Sequence, residues 1–350
     1  MQLKTALAQA VALLEKGGVA SPRLTAEVLL IHAAHCDRAH LYAHGERELT
    51  EVEWIHYGLY LRERLDGKPT QYITGHQEFW GLDFLVNPSV LIPRPETELV
   101  VEVALALARN HFPPGTELNI ADVGTGSGCI AVALATELPH ARIYALDQSS
   151  QALETARRNA TRLGVEHRIV FLESDLLEHF HCSDRMHISP VGALDSSPGR
   201  EPWVSGRETT TSPGGAKEIN PSVTQHVNHE KGLDTSSGTP LPPLQMVVSN
   251  PPYVSERDRT KLMREVRDFE PAQALFAGES GSDVYARLIP QAARALVPGG
   301  FLVLELGYDA QEQVARLLSS PAGEKEWENI EWRRDLAGIV RVVSARRRQS

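Results

Sequence analysis

From about residue 96 onward the sequence alternates short apolar runs with amphipathic stretches, and this alternation restricts the fold more than any other feature. Leu118 to Val123, Arg142 to Leu146, Arg168 to Leu172 and Met246 to Val248 have the length and apolar character of strands. Glu96 to Arg109, Ile130 to Thr136, Ala152 to Leu163 and Val284 to Leu296 carry helical spacing. Phe301 to Leu304 predicts a further strand, Gln311 to Leu318 a helix, and two strands near Ile330 and Val340 close the chain. Strands that alternate with helices need crossover connections. The fold class is therefore α/β, a mostly parallel sheet with helices on both faces.

The residues before this region read differently. Residues 1–75 predict a small all-helical domain. Leu3, Leu7, Val11 and Leu14 share one helix face, and Gly17-Gly18 ends that run. Ser21-Pro22 fits an N-cap followed by proline at the first helical position. Leu24, Val28 and Ile31 predict the buried stripe of a second helix, and Trp54, Leu61 and Leu65 that of a third. Residues 76–95 predict a hairpin linker. Phe79-Trp80-Gly81-Leu82-Asp83-Phe84 sets turn residues between aromatic and apolar ones. Leu91-Ile92-Pro93-Arg94-Pro95 reads as extended, because a residue before proline avoids the α region. Residues 96–350 form the expected catalytic domain. Within it, 181–244 is rich in Ser, Thr, Gly and Pro and lacks periodicity. It reads as a disordered insertion in a surface loop. Closing such a loop costs only about 0.6 kcal/mol per doubling of its length.

The bulk properties exclude several classes. A formal net charge of −10 argues against non-specific adhesion to nucleic acid, which relies on clustered Lys and Arg. Cys36, Cys129 and Cys182 are too scattered for a disulfide framework or a metal knuckle, so no metal is expected. The opening Met1-Gln2-Leu3-Lys4 leads into no secretory apolar run, and no stretch approaches a membrane span. A cytoplasmic monomer is the expectation, with no membrane partner.

Chemistry enters at the end of the first strand. In Ala121-Asp122-Val123-Gly124-Thr125-Gly126-Ser127-Gly128, glycines let the backbone turn sharply and approach a ligand closely. The third glycine falls one residue short of the dinucleotide fingerprint, and the phosphate-binding lysine of a P-loop is missing. A zwitterionic cofactor without phosphate, such as S-adenosylmethionine, suits the loop better. By itself the triplet is equally a tight turn. Two carboxylates strengthen the ligand reading. Asp147 closes the second strand, where it can accept hydrogen bonds from ribose hydroxyls. Ser174-Asp175-Leu176 closes the third, within reach of an adenine amino group.

The fourth strand ends in Asn250-Pro251-Pro252-Tyr253. In open α/β sheets ligands bind at the carboxyl ends of strands near the switch point, which the first and fourth strands should flank. An amide nitrogen is a poor nucleophile because its lone pair is delocalised into the carbonyl. A site can instead accept hydrogen bonds from its N–H groups and fix the nitrogen against a methyl donor. Asn250 offers a side-chain carbonyl and Pro251 a backbone one. The prolines fix φ and remove competing donors. Tyr253 offers a face on which a planar group can stack. Taken alone, a proline-stiffened turn would look the same.

These residues resemble the release factor glutamine methyltransferases, the HemK or PrmC family. The resemblance covers nearly the whole chain outside the insertion. It rests on Ser21-Pro22-Arg23-Leu24, Gln71-Tyr72-Ile73-Thr74-Gly75, Glu78-Phe79-Trp80, Leu91 to Glu98, the glycine loop, Ser249 to Tyr253 and Asp335-Leu336-Ala337-Gly338. The Asn-Pro-Pro-Tyr motif is shared with adenine-N6 and guanine-N2 methyltransferases. The Ile-Pro-Arg-Pro-Glu-Thr-Glu stretch with a helical N-terminal domain is more specific to this family.

The resemblance implies a class I, Rossmann-like methyltransferase fold with a seven-stranded sheet, and S-adenosylmethionine as cofactor. The implied substrate is the glutamine side chain of the Gly-Gly-Gln motif in class I peptide chain release factors. By the same resemblance, Gly124, Thr125, Gly126, Ser127 and Gly128 hold the cofactor's methionine part, Asp147 its ribose, and Asp175 with Leu176 its adenine. Asn250, Pro251, Pro252 and Tyr253 hold the glutamine, with Asn250 also beside the cofactor. Many members carry an aromatic residue where this chain has Leu176, which implies weaker adenine stacking. Arg94 and Glu96 lie near the active-site mouth in the family; equally, Glu96 suits a helix start. The tail Arg346-Arg347-Arg348 is expected to be solvated. Two other readings stay open: methylation of a nucleic-acid exocyclic amine, which the acidic balance disfavours, and a non-enzymatic protein that keeps the fold, which the intact Asn250 and glycine loop disfavour.

Overall fold

The computed structural model describes residues 1–180, 241–320 and 323–349. The insertion expected over 181–244 lies outside the described residues up to 240. Its end is corrected, because Leu244 already belongs to a strand.

The N-terminal region holds helices α1 (Leu3–Lys16), α2 (Pro22–Ala34), α3 (Arg38–Ala43), α4 (Glu51–Leu65) and α5 (Thr70–Thr74). Leu3, Ala6, Ala10 and Leu14 of α1 are buried against Ala26, Leu29, Leu30 and Ala33 of α2 and Tyr57 and Leu61 of α4. The stripe expected on α2 is on the wrong face: Leu24 is 55% exposed, and Val28 and Ile31 are only half-buried. The buried face instead carries Ala26, Leu29, Leu30 and Ala33. Trp54 of α4 likewise sits 40% exposed. Pro22 does open α2, but Ser21 adopts a left-handed conformation (φ 49°) and its side chain makes no capping bond. Helix α4 is started by a capping box between Thr50 and Glu53.

Strands β1 (His76–Phe79) and β2 (Leu82–Leu85) pair antiparallel as expected, turning at Trp80 and Gly81, both at positive φ. The extended stretch then enters a 3₁₀ turn, Pro95–Thr97, and helix α6 (Glu98–His111) follows. Glu96 therefore lies in the turn, without a side-chain cap. The remaining elements are β3 (Leu118–Val123), α7 (Cys129–Glu137), β4 (Ala141–Asp147), α8 (Ser150–Arg162), β5 (Ile169–Glu173), β6 (Leu244–Ser249), α9 (Arg264–Phe269), α10 (Ala272–Leu275), α11 (Asp283–Ala295), β7 (Leu296–Glu305), α12 (Gln311–Leu318), α13 (Gly323–Glu326), β8 (Trp327–Arg334) and β9 (Val340–Arg347).

Seven of the described strands form one sheet in the order β5-β4-β3-β6-β7-β9-β8. β3 to β7 run parallel, and β9 and β8 pair antiparallel. Alternate residues of each strand serve opposite layers. Ile120, Met246, Val248 and Val303 pack under α6 and α7, whereas Ala121, Val123, Val247 and Leu304 pack under α11 and α12. The chain order reverses between β3 and β6, so their carboxyl ends flank the switch point. The basic tail is not free: Arg346 and Arg347 lie in β9 and donate to the carbonyls of Gly299 and Leu296. Among the described residues no helix is long and apolar enough to cross a membrane.

The helical region is tied to the segments around the switch point. Tyr72 Oη donates to the Val90 carbonyl at 2.6 Å, and Arg64 pairs with Glu265. Arg94 pairs with the buried Glu270 at 2.5 Å, and Glu270 also accepts from the Ile92 N–H at 3.4 Å. Glu270 is thus the anchor of the Ile-Pro-Arg-Pro stretch.

Candidate active site

A cleft opens at the carboxyl ends of β3, β4, β5 and β6, the place where open α/β sheets bind ligands. Its first wall is the loop from β3 to α7. Gly124, Gly126 and Gly128 have φ of 73°, 55° and 81°, a region that non-glycine residues seldom adopt. The Gly124 and Thr125 N–H groups both donate to the Leu146 carbonyl, at 2.8 and 2.9 Å. Beneath the loop sits Asp122, fully buried. Its Oδ2 accepts from Thr125 Oγ1 at 2.6 Å and from the Ala131 N–H at 3.1 Å, so one carboxylate staples the loop to the start of α7. Burial pushes the Asp122 carboxyl up to about 7, against the pull of those two donors.

Asp147 closes β4. Its Oδ2 accepts from the Gly126 N–H and its Oδ1 from the Ser149 N–H, both at 2.9 Å. Burial raises its pKa despite these bonds. After β5, the Ser174 N–H donates to the Asp147 carbonyl at 3.0 Å, and Leu176 turns through φ 57°. Asp175 pairs with Arg287 of α11 at 2.5 Å. The second wall follows β6. Ser249 Oγ donates to the Val123 carbonyl at 2.6 Å, which fixes the two strand ends side by side. Asn250 Nδ2 donates to Thr97 Oγ1 at 3.0 Å, and among the described residues nothing donates to Asn250 Oδ1. Tyr253 Oη donates to Glu305 Oε1 at 3.3 Å, and its ring lies against Gly307, where a Cβ would come within 2.8 Å.

Of the residues singled out in the sequence, Gly124, Gly126, Asp147, Asp175, Leu176, Asn250, Pro251 and Pro252 line this one cleft. Thr125, Ser127, Gly128 and Tyr253 do not line it. Thr125 and Ser127 are buried beneath the loop, and Gly128 opens α7 against Ala156, where a Cβ would lie 3.0 Å away. Sequence reasoning missed Asp122, Thr97, Glu305 and Arg287. Asp122 and Glu305 had a readable signal, since each places a carboxylate inside an otherwise apolar strand. Arg287, on the polar side of an ordinary helix, had none.

The lining discriminates between ligands. Arg287 is the one cation among the described lining residues, and Asp175 already neutralises it; Asp147 and Asp175 supply the carboxylates. Such a wall suits hydroxyls and positive charge rather than phosphate. A mostly parallel sheet with this strand order, a glycine loop and an Asn-Pro-Pro-Tyr corner at its switch point defines a class I methyltransferase.

Comparison with known proteins gives the particular family. Residues 5–75 match the PrmC N-terminal domain and residues 100–187 the methyltransferase small domain. The chain is 40% identical over 347 residues to the release factor glutamine methyltransferase of Koribacter versatilis, covering 99% of each. It is 37% identical over 349 residues to that of Moorella thermoacetica, covering 100% of each. With that of Nitratidesulfovibrio vulgaris it shares 36% over 334 residues, 95% of this chain and 91% of the relative. The chain belongs to the release factor glutamine methyltransferase family.

Proposed function

We propose that the cleft transfers a methyl group from S-adenosylmethionine to the glutamine side-chain nitrogen in the Gly-Gly-Gln motif of class I peptide chain release factors. The observation that carries this reading is Asn250. Its amide is held at the switch point beside the glycine loop, nitrogen committed to Thr97 and carbonyl oxygen without a partner among the described residues. The cytoplasm, where release factors work, is the corresponding location.

S-adenosylmethionine, when bound, supplies a methyl carbon activated by a sulfonium cation. Gly124 and Gly126 give its methionine part a close backbone approach, with Thr125, Ser127 and Gly128 shaping the loop from beneath. Asp147 accepts from ribose hydroxyls, and Asp175 and Leu176 border the adenine.

The glutamine is held by Asn250 Oδ1 and the Pro251 carbonyl, which accept its two N–H bonds. That pairing draws electron density toward nitrogen and aims its lone pair at the methyl carbon. Pro251 and Pro252 keep both acceptors rigid. Tyr253 anchors the far end of the corner through Glu305 and Gly307. Catalysis is chiefly orientation and electrostatic complementarity. The surplus proton leaves once the methyl group has moved and the nitrogen has become acidic.

The test is incubation of the purified chain with S-adenosylmethionine and a class I release factor, with mass spectrometry locating the added methyl. Methylation of the Gly-Gly-Gln glutamine is expected. An unmodified glutamine alongside methylated DNA or RNA in parallel reactions would overturn the reading.

A further inference from the structure

Glu305 ends β7 with only 2% of its surface exposed, and no residue of the proposed mechanism yet uses it. It lies where the two most distinctive segments of the sequence meet. Tyr253 Oη donates to its Oε1, while its Oε2 is buried with no hydrogen-bond partner among the described residues. Thr97 is also 2% exposed, and its Oγ1 is occupied as an acceptor by Asn250 Nδ2. Among the described residues the Thr97 hydroxyl hydrogen has no hydrogen-bond acceptor, and Thr97 stands near enough to Glu305 to favour its ionised form. Buried polar groups find partners. The unfilled oxygen and the undirected hydrogen therefore belong together.

We propose that Glu305 is the positioning residue that sets the polarity of the substrate clamp, holding Asn250 through Thr97 with its nitrogen inward and its carbonyl oxygen toward the cleft. The reason is a count of donors. A hydroxyl has one hydrogen to give. If Thr97 gives it to a carboxylate, which can only accept, the Thr97 lone pairs must be met by a donor, and Asn250 turns its NH₂ inward. Asn250 Oδ1 is then left to accept an N–H from the substrate. A neutral Glu305 reverses the chain. It would donate to Thr97, Thr97 would donate to Asn250 Oδ1, and the amide would present N–H groups to a substrate amine that needs acceptors. The same carboxylate fixes Tyr253, so both ends of the tetrapeptide answer to it. The inference rests on the methyl-transfer reading above and adds the residue that makes its clamp an acceptor.

Protonation is the natural probe. Burial pushes the Glu305 carboxyl up to about 7, opposed by the Thr97 and Tyr253 hydroxyls and by Arg341 of β9, and aided by Glu96 of the 3₁₀ turn. Cys129 of α7 also faces it, and Tyr285 of α11 donates to its backbone carbonyl at 2.8 Å. The clamp thus keeps its acceptor polarity on the alkaline side of about 7.

The test uses the full chain, S-adenosylmethionine and a class I release factor. Wild-type kcat should fall as pH drops below about 7. Glu305→Gln should lower kcat on the order of 100-fold, the scale of a misplaced reacting group. It should leave cofactor affinity by calorimetry unchanged and lose that acid limb. Thr97→Val should reproduce the loss, and Thr97→Ser should retain more turnover than Thr97→Val. Glu305→Gln and Thr97→Val together should cost no more than either alone, as residues acting in one chain do. Undiminished kcat in Glu305→Gln, additive losses, or equal losses in the two Thr97 variants would overturn the proposal. If Glu305→Gln does not fold, the Thr97 pair decides. A wild-type chain that methylates no release factor would instead overturn the functional reading.

Discussion

The two halves of the cleft are built by opposite means. The half proposed for the cofactor comes from consecutive elements: the β3–α7 loop, the end of β4 and the end of β5. Positive-φ glycines shape its loop, whose N–H groups are held by the Leu146 carbonyl and by Asp147. The half proposed for the substrate is a side-chain network drawn from distant parts of the chain, Thr97, Asn250, Tyr253 and Glu305. Each half rests on one buried carboxylate on the α6–α7 side of the sheet, Asp122 under the loop and Glu305 under the corner. Asp122 holds a backbone conformation, whereas Glu305 sets the direction of hydrogen bonds. A pocket for a molecule that never changes can be written in backbone. A clamp that must tell N–H from C=O needs side chains of fixed polarity.

That contrast can be broken in several places. The largest effect should come from Asn250→Ala. We expect turnover to fall on the order of 10²- to 10³-fold, as when a preorganised polar group is deleted from an active site. Cofactor affinity by calorimetry should stay near wild type; a parallel loss of binding would mean the halves are not separate. Next is Gly307→Ala, whose new Cβ would sit 2.8 Å from the Tyr253 ring. Overpacking of this kind costs about 1–3 kcal/mol. It should appear in kcat with release factor, not in cofactor binding, and a change confined to cofactor binding would count against the assignment of Tyr253.

Gly126→Ala probes the other half. Nothing lies within 4 Å of its added Cβ, so the penalty is the left-handed backbone alone, about 1–2 kcal/mol. Cofactor affinity should weaken roughly tenfold at that cost while kcat at saturating cofactor is largely kept. A fall in saturating kcat with unchanged affinity would reverse the roles given to the two walls.

The smallest effect separates the two carboxylates by pH. Both are raised to about 7 by burial, so the folded protein holds their protons more tightly than the unfolded chain does. The stability they contribute is complete below their unfolded pKa values and is lost as pH rises through about 7. Melting temperatures of Asp122→Asn and Glu305→Gln should therefore gain on wild type between about pH 4 and 7 and level off above that. Only Glu305→Gln should also lose the acid limb in kcat. Parallel melting curves for wild type and both variants would show that neither group holds a proton in this range.

Several elements were legible because their signals are local. β3 runs over Leu118–Val123 and α12 over Gln311–Leu318, as apolar period and length require. The hairpin follows from Trp80-Gly81 between two apolar runs. The failures were those in which a neighbour chose. In α2 the face that packs carries Ala26, Leu29, Leu30 and Ala33, which leaves Leu24 outside the core. Ser21 has a capping residue's chemistry but a left-handed backbone that turns it away from that use. The arginines near the C-terminus are basic and terminal, yet β9 recruits them against the carbonyls that β7 presents.

The sequence by itself determined the alternating α/β order, the glycine loop, the strand-end carboxylates and the Asn-Pro-Pro-Tyr corner. Each is fixed by backbone torsion and residue chemistry within a few positions. Tertiary structure alone decided that Thr97 and Glu305 stand behind Asn250 and Tyr253, and that Arg287 is spent on Asp175. Those relations join residues far apart in the chain. They arise only when the sheet sets β6 between β3 and β7 and leaves one buried carboxylate facing one hydroxyl.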